Sequence, residues 1–130
     1  MDKSELLKEL NLSKYVAFDF ETSGLSSKED RIIEVAAILF ENGEVKDSFV
    51  TLVNPRRPIP YLITRITGIS DEMVIDAPYE KDMVSDLFEF IGDYPLVAHN
   101  IYFDIDFLGE LAERYDLPKP ENDLYDTLQL

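Results

Sequence analysis

The sequence predicts an α/β domain on a sheet of mixed direction, and three observations lead there. Three strand-like apolar runs lie close together between Tyr15 and Val53. Apolar residues at helical spacing follow over 84–91 and 103–115. A short strand, Pro95-Leu96-Val97-Ala98, separates those two helices.

Each element has its own signal. Residues 4–10 fit a short amphipathic helix on Leu6, Leu7 and Leu10. Tyr15 to Phe20 is apolar until Asp19 and reads as a buried strand. Arg31 to Phe40 is a second strand rich in Ile, Val and Ala. Glu41-Asn42-Gly43-Glu44 is a hairpin turn, and Val45 to Val53 returns as a third strand, so the first three strands form a meander. Pro55, Pro58 and Pro60 make the next stretch an extended loop. Ser70 is placed to N-cap a short helix carrying Met73 and Val74, with Asp71 and Glu72 in its favourable first turn. Val84, Leu87, Phe88 and Ile91 form one helical face that Gly92 stops. Phe103, Phe107, Leu108, Leu111, Ala112 and Tyr115 form another, ended by Pro118.

With 130 residues there is room for one domain, and 45% hydrophobic residues suffice for a core. No apolar run is long enough to cross a bilayer, the first residues are no signal peptide, and a soluble cytoplasmic protein is expected. Without cysteine, disulfides and thiolate metal sites are excluded. The net charge of −15 argues against a protein that grips duplex DNA by its phosphates, because phosphate neutralisation dominates such affinity. Any nucleic acid must be bound locally or through metal ions, and many of the acids are simply a solvated surface. Ser48 to Ser70 breaks the pattern: it has no Asp or Glu, and Arg56, Arg57 and Arg65 give it a charge of +3. This basic stretch is either chance or a place where a phosphate is tolerated.

Acid pairs two residues apart occur at Asp19/Glu21, Glu80/Asp82, Asp104/Asp106 and Glu121/Asp123. Helix surfaces and loops explain the last three. Asp19 differs because it ends an apolar strand between Phe18 and Phe20, where a bare charge is too costly. It must be paired, hydrogen-bonded or holding a cation. Residues 19 and 21 project to one side of a strand, so both can reach one ion, and hard carboxylate oxygens suit Mg²⁺ or Mn²⁺. A second candidate, His99-Asn100-Ile101-Tyr102-Phe103-Asp104, lies where the fourth strand gives way to a helix, and ligands gather at such junctions. Taken singly, His99 reads as a structural residue, Asn100 as a cap and Asp104 as a helix-dipole residue.

Taken together and in order, these segments carry a resemblance. Asp19-Phe20-Glu21-Thr22-Ser23-Gly24-Leu25 resembles the first exonuclease motif of the DEDD superfamily, and His99 to Asp104 resembles its second. Ile66-Thr67-Gly68-Ile69 is similar to the threonine–glycine segment that touches substrate in those enzymes. Asp126-Thr127-Leu128 resembles the start of the helix that follows the second motif's helix. The resemblance spans Tyr15 to Leu130 and is to the DEDDh branch, typified by proofreading exonuclease subunits and domains of bacterial replicative DNA polymerases.

It implies a ribonuclease H-like fold and 3′-to-5′ exonucleolytic hydrolysis, of DNA in the first instance and with RNA open, by two Mg²⁺ or Mn²⁺ ions. Asp19 would serve both ions, Glu21 one and Asp104 the other. Thr22, Leu25, Thr67, Gly68, Ile69 and Asn100 would line the pocket for the terminal nucleotides, with Leu25 and Ile69 as partly exposed wedges against the bases. A DNA polymerase or helicase domain is the implied partner. Two departures stand out. The family's third motif supplies a general-base histidine and a last Asp, yet no histidine follows His99, which belongs to the second motif. The chain is therefore expected to be one exonuclease domain, residues 1–130, cut short at its C-terminal end and inactive as it stands. Ile101 also replaces a usually small residue, which either narrows the pocket wall or has no consequence. The alternative is a non-catalytic exonuclease-like module that binds metal, nucleic acid or a polymerase.

Overall fold

The structure is a computed structural model and describes residues 12–128; the helix expected over 4–10 lies outside them. Its elements are β1 (Lys14–Thr22), β2 (Ile32–Glu41), β3 (Glu44–Leu52), α1 (Tyr61–Thr67), α2 (Asp71–Val74), α3 (Glu80–Ile91), β4 (Leu96–Ala98), α4 (Ile101–Arg114) and β5 (Leu124–Asp126). One sheet in the order β3-β2-β1-β4-β5 holds all five strands. β1, β2 and β3 pair antiparallel as the expected meander, and β4 and β5 add in parallel. The turn between β2 and β3 needs positive φ at both central residues, and Asn42 (φ 52) and Gly43 (φ 82) supply it.

The apolar periodicities build the core. Val16, Phe18 and Phe20 of β1, Val35 and Ala37 of β2, and Leu96 and Ala98 of β4 face one side. Onto them pack Met83, Val84, Leu87 and Ile91 of α3 and Phe107, Leu108 and Leu111 of α4. A smaller cluster joins Ile33 to Ile59, Ile69 and Val74. No helix among the described residues is long and apolar enough to cross a membrane.

Several expectations need correction. Helix α1 is absent from the sequence reading, which took the Pro-rich stretch as a loop; the helix is only seven residues long and follows Pro55, Pro58 and Pro60 directly. Ser70 occupies the cap position of α2, but its side chain makes no capping bond. Asp71 instead accepts the Ile59 N–H at 2.8 Å, which ties down the Pro-rich loop. Helix α4 stops before Pro118: Asp116 adopts φ 54 and Leu117 N–H reaches back to Ala112 O at 2.8 Å, a left-handed helix stop. Asp126 is the last residue of β5, opposite Ala98 of β4, and the helix expected to start there would run into residues 129–130, outside the described residues.

Candidate active site

The site arises because β4 is much shorter than β1. Along the edge that faces β4, Val16 N–H donates to Pro95 O at 2.9 Å, and the parallel pairing covers only Val16↔Leu96 and Ala17↔Val97. Past Ala98 the chain turns into α4, so the Phe20 N–H on the same edge has no strand opposite. Asp104 fills the gap: its Oδ1 accepts the Phe20 N–H at 3.4 Å, across 84 residues of sequence. A buried backbone donor needs such a partner. Asp104 is only 3% exposed. Asp19 and Glu21 alternate with the buried Phe18, Phe20 and Thr22 and so share the opposite side of β1.

The three carboxylates feel one another. Burial raises Asp104 to a pKa of about 7, and the charges of Asp19, Glu21 and Asp126 push the same way against the Phe20 N–H. Asp19 is raised by desolvation, opposed by the Phe20 backbone and by His99. Glu21 is raised by desolvation, then by Asp19 and Glu34, its direct cross-strand partner. Like charges opposite one another in a ladder are unfavourable unless something offsets them.

The β4–α4 junction is fixed from β5. Asn100 adopts φ 60 and ψ 56, and its N–H donates to Asp126 Oδ1 at 2.9 Å. The same oxygen accepts Leu128 N–H at 3.0 Å. Asp126 is the buried acid that sequence reasoning missed as part of this site. Its signal is the one that marked Asp19, an acid ending a short apolar strand, hidden here because Leu124-Tyr125-Asp126 is only three residues long. His99 is exposed; its Nδ1 lies 3.3 Å from Thr127 Oγ1, one residue past β5, and its charge acts on Asp19.

The remaining expected pocket residues divide. Leu25 is 88% exposed on the loop after β1, as a wedge would be. Ile69 is not: at 4% exposure it packs with Ile33, Ile59 and Val74, because the chain folds inward after α1. The exposed apolar residue of that segment is Ile66. Thr22 and Thr67 turn their hydroxyls onto Gly24 O and Ile63 O, respectively, and so shape their own loops. Gly68 has φ 78 and closes α1 with its N–H on Thr64 O. Ile101 is fully buried in the main core, so it narrows no pocket wall. Gly24 is needed for close approach, since a Cβ there would collide with the Asp30 carboxylate, which accepts Ser26 N–H at 2.9 Å and closes the loop.

The donor set suits a hard divalent cation. Asp19, Glu21 and Asp104 offer only oxygen, there is no cysteine, and their mutual repulsion is what a bound cation would relieve. Among the described residues no three acidic or imidazole groups are already gathered into a preformed cage.

Comparison with known proteins fits this geometry. Residues 16–130 match the RNase T family model, described as exonuclease. The chain is 45% identical over 117 residues to the PolC-type DNA polymerase III of Bacillus subtilis (strain 168), which covers 89% of the chain and 8% of that polymerase. The same polymerase of Staphylococcus aureus is 40% identical over 116 residues, again 89% of the chain and 8% of the relative. The chain thus spans less than a tenth of the length of these curated relatives. A crystal structure of exonuclease I with the inhibitor BCBP superposes with a TM-score of 0.80 at 19% identity, covering 90% of this chain and 29% of that one. Escherichia coli exonuclease I with a 5cy-dA13 oligonucleotide gives 0.78 at 19% identity, covering 89% and 28%. These likenesses establish the ribonuclease H-like fold. By its family match and its polymerase relatives, the chain belongs to the RNase T exonuclease family.

Proposed function

We propose that the chain is the 3′-to-5′ exonuclease core of a PolC-type replicative polymerase, acting on single-stranded or frayed DNA ends. The observation that carries this reading is the seat of Asp104, buried on the Phe20 N–H beside Asp19 and Glu21. Asp19, Glu21 and Asp104 would hold Mg²⁺ or Mn²⁺. Such ions supply activation of the attacking water and stabilisation of the leaving oxygen. The chain's own residues do the rest. The Phe20 N–H orients Asp104, Asp126 fixes the left-handed Asn100 at the start of α4, and Leu25 offers an exposed apolar edge to the terminal base.

In this reading no residue of the chain serves as general base. The single histidine, His99, is engaged with Thr127. The 130-residue chain then has little or no nuclease activity by itself, and a longer version carrying a downstream histidine is active. The test is release of 3′-terminal nucleotides from labelled single-stranded DNA and RNA with Mn²⁺, using both versions and Asp19→Ala in each. Robust activity of the short chain, abolished by Asp19→Ala, would contradict the absence of a base. Activity of the longer version that survives Asp19→Ala would contradict the site.

A further inference from the structure

The loop after β3, the start of α3 and the end of α4 enclose a cleft of about 510 Å³ lined by Arg31, Arg56, Arg57, Lys81 and Arg114. Five of the 12 Lys and Arg residues thus meet in one place on a chain of net charge −15. They come from four separate segments, so no local run of basic sequence explains the cluster.

Its one lining carboxylate is already committed. Glu80 is buried, ion-paired with Arg114, and accepts the Tyr115 hydroxyl at 3.0 Å. The other four cations have no carboxylate at ion-pair distance among the described residues. Arg31 donates to Asp30 O at 3.0 Å and Arg57 to Glu29 O at 2.7 Å, backbone carbonyls that leave their charge unbalanced. Arg56 lies over the Tyr79 ring at 4.9 Å and adopts φ 61, uncommon for a residue with a side chain, with its N–H on Asn54 Oδ1. Partial burial, then the neighbouring Arg114 and Arg57, lower the Arg31 pKa. Guanidiniums placed for solubility spread apart; these are held together with one carboxylate, Glu80, among them.

The cleft also joins the rim that carries the carboxylates. Ser23, two residues past Glu21, donates its N–H to Arg31 O at 2.8 Å and accepts Arg31 N–H on its Oγ at 2.9 Å. The volume lies within the roughly 300–1,000 Å³ of ligand pockets, and the exposed Arg56, Arg57 and Lys81 leave its lip open to a strand passing across it.

We propose that this cleft binds phosphate groups, supplied by the sugar–phosphate backbone of the strand whose 3′ end the carboxylates receive. The anion site stands on the cleft alone; its backbone source rests on the nuclease reading.

The test uses the whole chain in Mg²⁺ and three probes: a labelled dinucleotide, an oligothymidylate of about a dozen nucleotides, and inorganic pyrophosphate as competitor. The variants are R57E with K81E, both exposed, and Asp19→Ala, with thermal melting to confirm folding. Charge reversal should weaken the longer oligonucleotide by about tenfold or more, and the dinucleotide by less, and should flatten the salt dependence by about 0.7 in log–log slope per lost contact. Pyrophosphate should compete only weakly. Unchanged binding of the longer oligonucleotide, equal losses for both lengths, or no binding of any probe by the parent chain would overturn the proposal. Pyrophosphate binding as tight as the oligonucleotide, and lost on charge reversal, would overturn the backbone assignment and leave a free-anion site. An effect of R57E with K81E but none of Asp19→Ala would count against the nuclease reading and not against the cleft.

Discussion

The two charged ends of this rim solve one problem in opposite ways. Asp19, Glu21 and Asp104 are each raised in pKa by burial; neighbouring carboxylates raise Glu21 and Asp104 further, whereas the Phe20 backbone and His99 offset part of the rise at Asp19. The arginine cleft gathers more charges, but Glu80 offsets one of them and carbonyl oxygens solvate others. The carboxylates sit on a strand and a helix that one hydrogen bond joins, from the Phe20 N–H to Asp104. The arginines sit on long side chains at a loop and two helix ends, and can adjust. Acids spaced along a strand edge and a helix start suit a small hard cation that draws them together, whereas a cleft of long basic side chains suits a larger anion.

The largest expected effect separates the two ends by chemistry. In an active longer version, Asp19→Ala should abolish Mn²⁺-dependent release of the terminal nucleotide, whereas R57E with K81E should mainly weaken binding. Single-turnover rates against substrate concentration will show the split. On the proposed function, the 130-residue chain should fall short of that version by about 10²–10⁴-fold, the usual worth of a positioned general base.

Next is the cost of the acid cluster itself. Asp104 has a folded pKa of about 7 against an ordinary value of 3.8. Between those values the folded chain keeps a proton that the unfolded chain has released. This group's penalty is therefore absent at low pH, grows as pH rises from about 4 to about 7, and then levels off. Asp104→Asn can still accept the Phe20 N–H, so it should stabilise the metal-free chain at pH 8, by an amount of order a few kcal/mol at most. Thermal melting at pH 5 and pH 8 checks this, and a variant less stable at pH 8 would contradict it.

A smaller effect is expected at the basic end. Glu80→Ala leaves Arg114 without its carboxylate and adds to the repulsion on Arg31, and should cost about 1–3 kcal/mol, less than for a fully buried pair. Added phosphate or sulfate should restore part of it, as measured by urea unfolding with and without the anion. The smallest effect belongs to Leu25→Ala: stability should stay within about 0.5 kcal/mol because the side chain is 88% exposed. Processing of the last nucleotides in a longer version should nonetheless slow.

The same contrast explains what could be read from sequence. Apolar alternation in β1 and helical spacing in α3 and α4 are strong local signals, so the meander and the main helices were legible; Asp19 was read as buried among Phe18 and Phe20, whereas strand alternation turns it to the exposed side. The bond from Phe20 to Asp104 was not, because it depends on β4 stopping three residues into its pairing with the sheet. Strand β5 was missed for lack of a buried stripe long enough to register, and Asp126 with it; helix α1 is only seven residues long and follows the Pro-rich stretch directly. Ile69 was misplaced because a motif says which residues are near a site, not which way the chain turns after Gly68. The cleft was only half visible: Arg56 and Arg57 stand in the acid-free stretch, whereas Arg31, Lys81 and Arg114 reach it through tertiary packing alone.

The most direct test of the central claim is Mn²⁺ binding to the 130-residue chain at pH 8, by calorimetry and by electron paramagnetic resonance. The parent chain should bind Mn²⁺, releasing a fraction of a proton as Asp104 ionises, and should gain melting temperature in doing so. Asp19→Ala and Asp104→Asn should each lose most of that binding, while R57E with K81E should retain it. Equal Mn²⁺ affinity in the parent chain, Asp19→Ala and Asp104→Asn would contradict the assignment of these carboxylates as a metal site.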